Sequence, residues 1–440
     1  MTWLQRYRIR HYIENSLVVL PVLGLIVALF LTEWVHSIEK QMGWESTLSV
    51  EAVRIVVGTL AASMLTFIVF LSSSLLVAVQ LASAQLTPRV IAFIFRDPVT
   101  KISLTAFVFN FSVALEVLIR IEDKVPLITS KVAIWGCVVC LGSFFYLLDH
   151  VGKELRPSGI LKRIGRKGRD VIMSVYPRSL REFPDLPRET LSFLDEEPAF
   201  TIPSRKDGVV LAFDIRGLMS LARNTDCLIE MVPQVGDFIA VDDPLFRIYR
   251  GGTGPSAVLL SQCVAVGQER TQQQDPALAF RIIVDVASKA LSPAINDPTT
   301  AVLAIDQIHH LLKQVGNRHL DDGVIRDEQG NIRLIYRTPD WEDFVQLAVT
   351  EIRLFGAQSI QVVRRLRSML EHLIEVLPPE RTGNLRQELS SLQITTENCF
   401  LAPEDRTLAA AGDSQGMGGA PGRSHSQVNG PSDSTKSASV

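Results

Sequence analysis

No charged side chain occurs from Ile55 to Pro88. A bilayer core takes roughly 20 apolar residues to cross as a helix, so this stretch is long enough to span it and to continue beyond it on one side. The feature restricts the chain to membrane architectures. It also raises the question of how many further spans accompany it.

Three other stretches qualify. An apolar segment from Leu17 to Val35 follows Arg6, Arg8 and Arg10, and its exit Thr32-Glu33-Trp34-Val35-His36 lacks a small-residue cleavage pattern, so it reads as a retained anchor. Residues 102–119 form a weaker segment interrupted by Glu116, and residues 132–148 carry no charge. The expected spans are therefore 17–35, 55–79, 102–119 and 132–148, within a transmembrane region covering residues 1–150. The 440 residues leave room for soluble domains as well, in keeping with a hydrophobic fraction of 47% and a charged fraction of only 21%.

Basic residues set the expected orientation. Arg6, Arg8 and Arg10 precede the first span, Arg89, Arg96 and Lys101 separate the second from the third, and a run from Lys153 to Arg169 follows the fourth. The intervening loops on the other side hold fewer cations, diluted by Glu39, Glu45, Glu51, Glu122 and Asp123. Both termini are thus expected in the cytoplasm. The Lys153–Arg169 run is also suited to anionic lipid headgroups. A net charge of −3 argues against a nucleic-acid partner.

Residues 151–200 read as a basic linker. Strand-like runs at 208–213, 227–232, 237–241 and 245–249 follow, with a helix at 215–223 between them. The turns Val235-Gly236-Asp237 and Asp242-Asp243-Pro244 resemble those of barrel-sandwich hybrid modules, placing a β-rich unit at 201–266. A mostly helical region is expected over 267–402. It includes helices at 276–291 and 298–315, a turn at 327–330 and a strand at 332–336. Beyond Pro403 the Gly/Ser/Pro/Asn composition predicts a disordered tail over 403–440. The expected fold class is an α-helical integral membrane region followed by a cytoplasmic α/β domain with a barrel-sandwich-like module and a helical C-terminal part.

Chemistry is sparse. No phosphate-binding loop or H-E-x-x-H is present, and Gly251-Gly252-Thr253-Gly254-Pro255 lacks the lysine and helix of a phosphate loop. Cys137 and Cys140 form a C-x-x-C inside an apolar run without a second ligand pair, which favours packing over redox or metal chemistry. Asp306 and His310 are four apart, but two ligands do not make a metal site, and a surface pair is the simpler reading. No catalytic residue, metal site or cofactor follows, which points away from an enzyme.

The strongest local signal is Gln274 to Ala301, with Asp275-Pro276 and Asp297-Pro298 as helix starts. Asp caps the orphan N–H groups, and Pro tolerates the first helical position. Arg281, Asp285 and Lys289 lie four apart on the first helix. Arg270, Arg281, Lys289, Thr299 and Thr300 are candidate anion ligands near two helix N-termini. The competing reading makes Asp275 and Asp297 structural caps and the charges i,i+4 pairs.

The string RTxxQDPxxxFRxxVDVAxKALSPAINDPTTA, together with QLASAQLTPRVIAFIFRDP, resembles the signature of a bacterial family of predicted membrane proteins catalogued as a domain of unknown function. The resemblance covers nearly the whole chain except the tail, and it implies an inner-membrane protein without supplying an activity. The expected role is a sensing or gating domain on a channel or transport assembly, compatible with a homo-oligomer. The alternatives are a membrane-anchored scaffold or binding module, and an unrecognised tethered enzyme.

Overall fold

Capping residues mark several of the helix ends in this chain. The computed structural model describes residues 1–44, 49–121, 125–154, 156–183, 197–250 and 254–419. Helix α1 (Trp3–Asn15) opens with a capping box in which Thr2 and Gln5 exchange side-chain and backbone bonds. An extended Ser16 separates it from α2 (Val19–Met42), which Gly43 ends in the left-handed conformation (φ 64°). Ser49 caps α3 (Val50–Gln85). At 1.5 Å per residue, its 36 residues outreach the hydrocarbon core.

A 3-10 turn, Pro88–Val90, and the short α4 (Ile91–Phe95) form a bend before α5 (Pro98–Arg120). Asp97-Pro98 starts α5 as the two later Asp-Pro pairs start theirs, with the Asp97 carboxylate accepting from the Thr100 N–H at 2.9 Å. Helix α6 (Leu127–Glu154) completes the set. Helices α2, α3, α5 and α6 are each long and apolar enough to cross a membrane.

Helix α5 sits at the centre of these four, packing against α2, α3 and α6. Of its apolar stretch 39% is buried, against 17% to 22% in the others. Polar side chains are buried along it. Ser103 shares a 3.1 Å hydrogen bond with Ser143 of α6, whereas the amide of Asn110 lies against Gly136 without a hydrogen-bond partner. Near one end of the bundle Arg120 pairs with Glu116 (2.9 Å) and Glu33 (2.5 Å). Also there, the buried Glu39 accepts from the N–H groups of Ile128 and Thr129, satisfying the first turn of α6.

Part of the expected basic linker is helical. Its residues form α7 (Pro157–Val175), with Pro157 at the first position. Ile160, Leu161, Ile164, Val171 and Ile172 recur at helical spacing and are buried, while Lys162, Arg166 and Lys167 occupy the exposed face. The apolar periodicity lies beneath the cations that mark the stretch as basic. Part of the remaining span, residues 184–196, lies outside the described residues.

Strands β1 (Phe200–Pro203) and β2 (Gly208–Phe213), helix α8 (Ile215–Asn224), and strands β3 (Leu228–Met231), β4 (Phe238–Ile239) and β5 (Pro244–Tyr249) follow. Next come α9 (Ala257–Ser261), β6 (Val264–Gly267), α10 (Pro276–Ala290), α11 (Pro298–Gly316), and the hairpin of β7 (Val324–Arg326) and β8 (Ile332–Tyr336). The strands make two sheets, ordered β1-β5-β3-β8-β7 and β4-β2-β6. Among the described residues the β3/β8 pair is parallel and the remaining strand pairs are antiparallel. Both expected turns form. Gly236 and Asp242 take positive φ (97° and 70°), and Asp237 and Asp243 each accept a backbone N–H three residues back.

Helices α12 (Trp341–Phe355), α13 (Ile360–Val376), α14 (Thr382–Cys399) and α15 (Pro403–Ala409) complete the chain. Residues 403–419 are ordered, unlike the composition-based expectation. The fully buried Arg364 of α13 donates to the carbonyls of Ala411 (3.0 Å) and Gly419 (2.5 Å), and Asp413 accepts from the N–H groups of Gln415, Gly416 and Gly418. Residues 420–440 lie outside the described residues. The largest apolar core joins α7 and α10–α14 to Leu86, Val90 and Phe93 of the bend. The helical part and the bend between α3 and α5 therefore share one core.

Candidate functional site

The segment from Arg270 to Thr300 lies where α1, the β sheets, the helical core and the α3–α5 bend meet. Its first residues are bound to α1 and to β2. The Thr271 hydroxyl is 3.2 Å from the Tyr7 hydroxyl of α1, and Gln273 donates to Glu14 of the same helix at 3.1 Å. Gln274 behaves as a substitute strand: its amide oxygen accepts from the Phe213 N–H (3.0 Å), and its NH2 donates to the Phe213 carbonyl (3.2 Å). Asp275 accepts from the Leu278 N–H at 3.0 Å and is ion-paired to Arg270 at 2.7 Å. Burial pushes the Asp275 carboxyl up, opposed by the Arg270 guanidinium and the helix N–H groups.

The helix α10 carries a line of alternating charge. Arg281 contacts Asp285 one turn along (2.6 Å) and makes a two-point bond to Glu351 of α12 (2.5 and 2.6 Å). Glu351, and then Asp285, hold the Arg281 guanidinium protonated beyond its usual range, and Arg281 in turn lowers Glu351. On its other side Asp285 pairs with Arg89 in the bend. Lys289 does not join Asp285, as the four-residue spacing suggests; its ammonium donates to the Ser83 carbonyl near the end of α3 at 2.8 Å. The sequence Arg89–Asp285–Arg281–Glu351 thus links the bend, α10 and α12 by charge, with Lys289–Ser83 as a second tie.

Four of the five candidate anion ligands engage partners within the chain. Arg270 is on Asp275, Arg281 is on Asp285 and Glu351, and Lys289 is on Ser83. At the start of α11, Asp297 accepts from the Thr300 N–H (3.1 Å) and from its hydroxyl (2.5 Å), while Thr299 is exposed. Asp275 and Asp297 are both helix caps. The connecting loop, 293–296, is exposed, and Asn296 adopts a positive φ of 48°.

Two other polar constellations were not read from sequence. Asp97 accepts from the Thr100 N–H and hydroxyl, lies 3.2 Å from His150 of α6, and is 3.3 Å from Arg163 of α7. It therefore ties the start of α5 to the end of α6 and to the first helix beyond it. The available signal was Asp97-Pro98, the same start pair as in the main motif. In α11, His309 lies 2.8 Å from His372 of α13 and 3.2 Å from Arg365, which also binds Asp306 at 2.8 Å. Asp306 is thus engaged across helices rather than with His310. Among the described residues, no group of three or more His, Cys, Asp or Glu side chains is placed to hold a metal ion.

The family model described as "Predicted membrane protein (DUF2254)" matches residues 14–372. The chain belongs to this family. Similar proteins include uncharacterised proteins of Mycobacterium bovis and of Mycobacterium tuberculosis strain H37Rv, each 24% identical over 92% of this chain and 80% of the relative. No solved structure matches it. The protein is accordingly a predicted membrane protein of unknown function with four apolar helices.

Proposed function

We propose that this DUF2254 protein is a multi-pass inner-membrane protein whose cytoplasmic α/β region senses a signal and gates a channel or transport assembly. The observation that carries the reading is the double tie of α10, through Lys289 to Ser83 in the last turn of α3 and through Asp285 to Arg89 in the bend. A motion of the helical core would reach α3 and the bend directly through these contacts and the shared apolar core. The distribution of cations supports both termini being cytoplasmic. It also supports contact of the Lys153–Arg169 stretch with anionic headgroups, since Lys162, Arg166 and Lys167 are exposed on α7.

Because α5 fills the centre of its own bundle, a conducting path belongs between copies, which makes a homo-oligomer part of this reading. The β-rich unit is taken as barrel-sandwich-like on the strength of its two turns and small sheets. Liposome flux of the purified full-length protein tests the proposal. Flux across a panel of ions, membrane tensions and small anions supports it, and silence under all of them contradicts it. The filled bundle centre is also what a membrane anchor would have, and it favours the scaffold alternative. Recovery of a stable partner by pull-down, with no flux, selects that reading.

A further inference from the structure

Helix α1 presents two different faces. Its inner face carries Tyr7 and Glu14, bonded to Thr271 and Gln273, and Asn15, bonded to Arg96. The outer face is exposed. On it Ile9, Tyr12 and Ile13 form an apolar stripe, with Arg8 on one side and Arg6 and Arg10 on the other. A helix folded only against protein leaves no reason for three large apolar residues to stand together in water between arginines.

We infer that this outer face lies on the surface of the bilayer and binds anionic phospholipid. Two features select that occupant. The first is continuity: α1 leads directly into α2, and Lys101 in the first turn of α5 donates to the carbonyls of Ile13 (3.3 Å) and Glu14 (2.6 Å). That bond fixes the C-terminal end of α1 beside the start of a span. The exposed apolar surface of the span itself begins at Val18 and Val22, a few residues beyond the stripe in the chain. The second is charge. Arginines flanking an apolar stripe place guanidinium groups at headgroup level when the stripe enters the acyl boundary.

The consequence is that lipid composition acts on the motif. Whatever holds the outer face of α1 bears, through Tyr7 and Glu14, on Thr271 and Gln273 at the entrance to α10. The inference stands apart from any transport activity, because it requires only that the chain be in a membrane.

The test uses the full-length protein in vesicles, with Cys399→Ser removing an exposed cysteine. An environment-sensitive fluorophore is placed at Ile9→Cys or Tyr12→Cys, and at Gln346→Cys on the exposed face of α12 for comparison. Brominated phosphatidylcholine serves as quencher, with and without phosphatidylglycerol. Quenching at positions 9 and 12 at least about twofold above position 346, increasing with phosphatidylglycerol and reduced by Arg6, Arg8 and Arg10→Gln together, supports the inference. Quenching no greater than at position 346 overturns it, as does quenching indifferent to phosphatidylglycerol. A blue-shifted label that the bromolipid does not reach also overturns it, in favour of a protein contact.

Discussion

The Lys289 ammonium donates to the main-chain carbonyl of Ser83 at 2.8 Å, joining the end of α10 to the last turn of the longest apolar helix. A carbonyl so near a helix C-terminus lacks an intrahelical donor and carries partial negative charge, which suits a cation. Lys289→Met keeps the aliphatic stem and removes the donor. It is expected to cost about 1 kcal/mol and to increase proteolytic cutting in the exposed 293–296 loop. Unchanged stability and cutting would remove this contact from the account.

Arg281 separates structural from ligand-binding use of the motif. With both Asp285 and Glu351 as partners, Arg281→Ala leaves two carboxylates facing each other and is expected to destabilise by about 1–3 kcal/mol, a range reduced for partial exposure. Lysine at this position should recover only part of the loss, since it cannot make the two-point bond. Thermal denaturation checks both. Retention of stability and assembly in Arg281→Ala, with loss of response to an added anion, would instead favour an anion site.

Asn110 offers a test inside the bundle. Its buried amide has no hydrogen-bond partner, and a Cβ on Gly136 would collide with it. Asn110→Leu should be neutral or stabilising by up to about 1–2 kcal/mol, because the orphan polar group is removed. Gly136→Ala should destabilise. If Asn110→Leu instead leaves a stable protein that loses flux, the side chain has a functional role that packing does not explain.

The His309–His372 contact predicts a pH dependence. Burial first, and then the Arg365 guanidinium, lower His309 to about 4, whereas an unfolded histidine titrates near 6.5. Between these values the unfolded chain binds more protons, so stability rises with pH across this window. It is complete above about 6.5 and lost as pH falls toward 4. Melting temperatures across that range should show a steeper decline in the native chain than in His309→Gln. Parallel declines would contradict the assignment.

Much of this architecture was legible in sequence where the signal is local. Asp275-Pro276 and Asp297-Pro298 marked the starts of α10 and α11, and the charge-free stretch marked α3. What escaped depended on distant partners. Lys289 has Asp285 at ideal helical spacing, yet the geometry takes it to Ser83, which no spacing rule indicates. Arg364 orders residues 411–419 against their composition, and Gln274 completes a sheet edge from outside any strand. The cations of α7 concealed a helix whose apolar face was already periodic. The candidate anion ligands were recognised individually, but their pairing to Asp275, Glu351 and Ser83 required the fold.

The central claim is that α10 couples the helical core to the bend between α3 and α5. Hydrogen–deuterium exchange on the full-length protein in nanodiscs, comparing the native chain with Arg89→Ala/Lys289→Met, tests it most directly. The account predicts faster exchange in residues 83–101 of the double variant while the amides of α11 and α13 keep their native protection. Native-like exchange across 83–101, with α10 remaining folded, would contradict it.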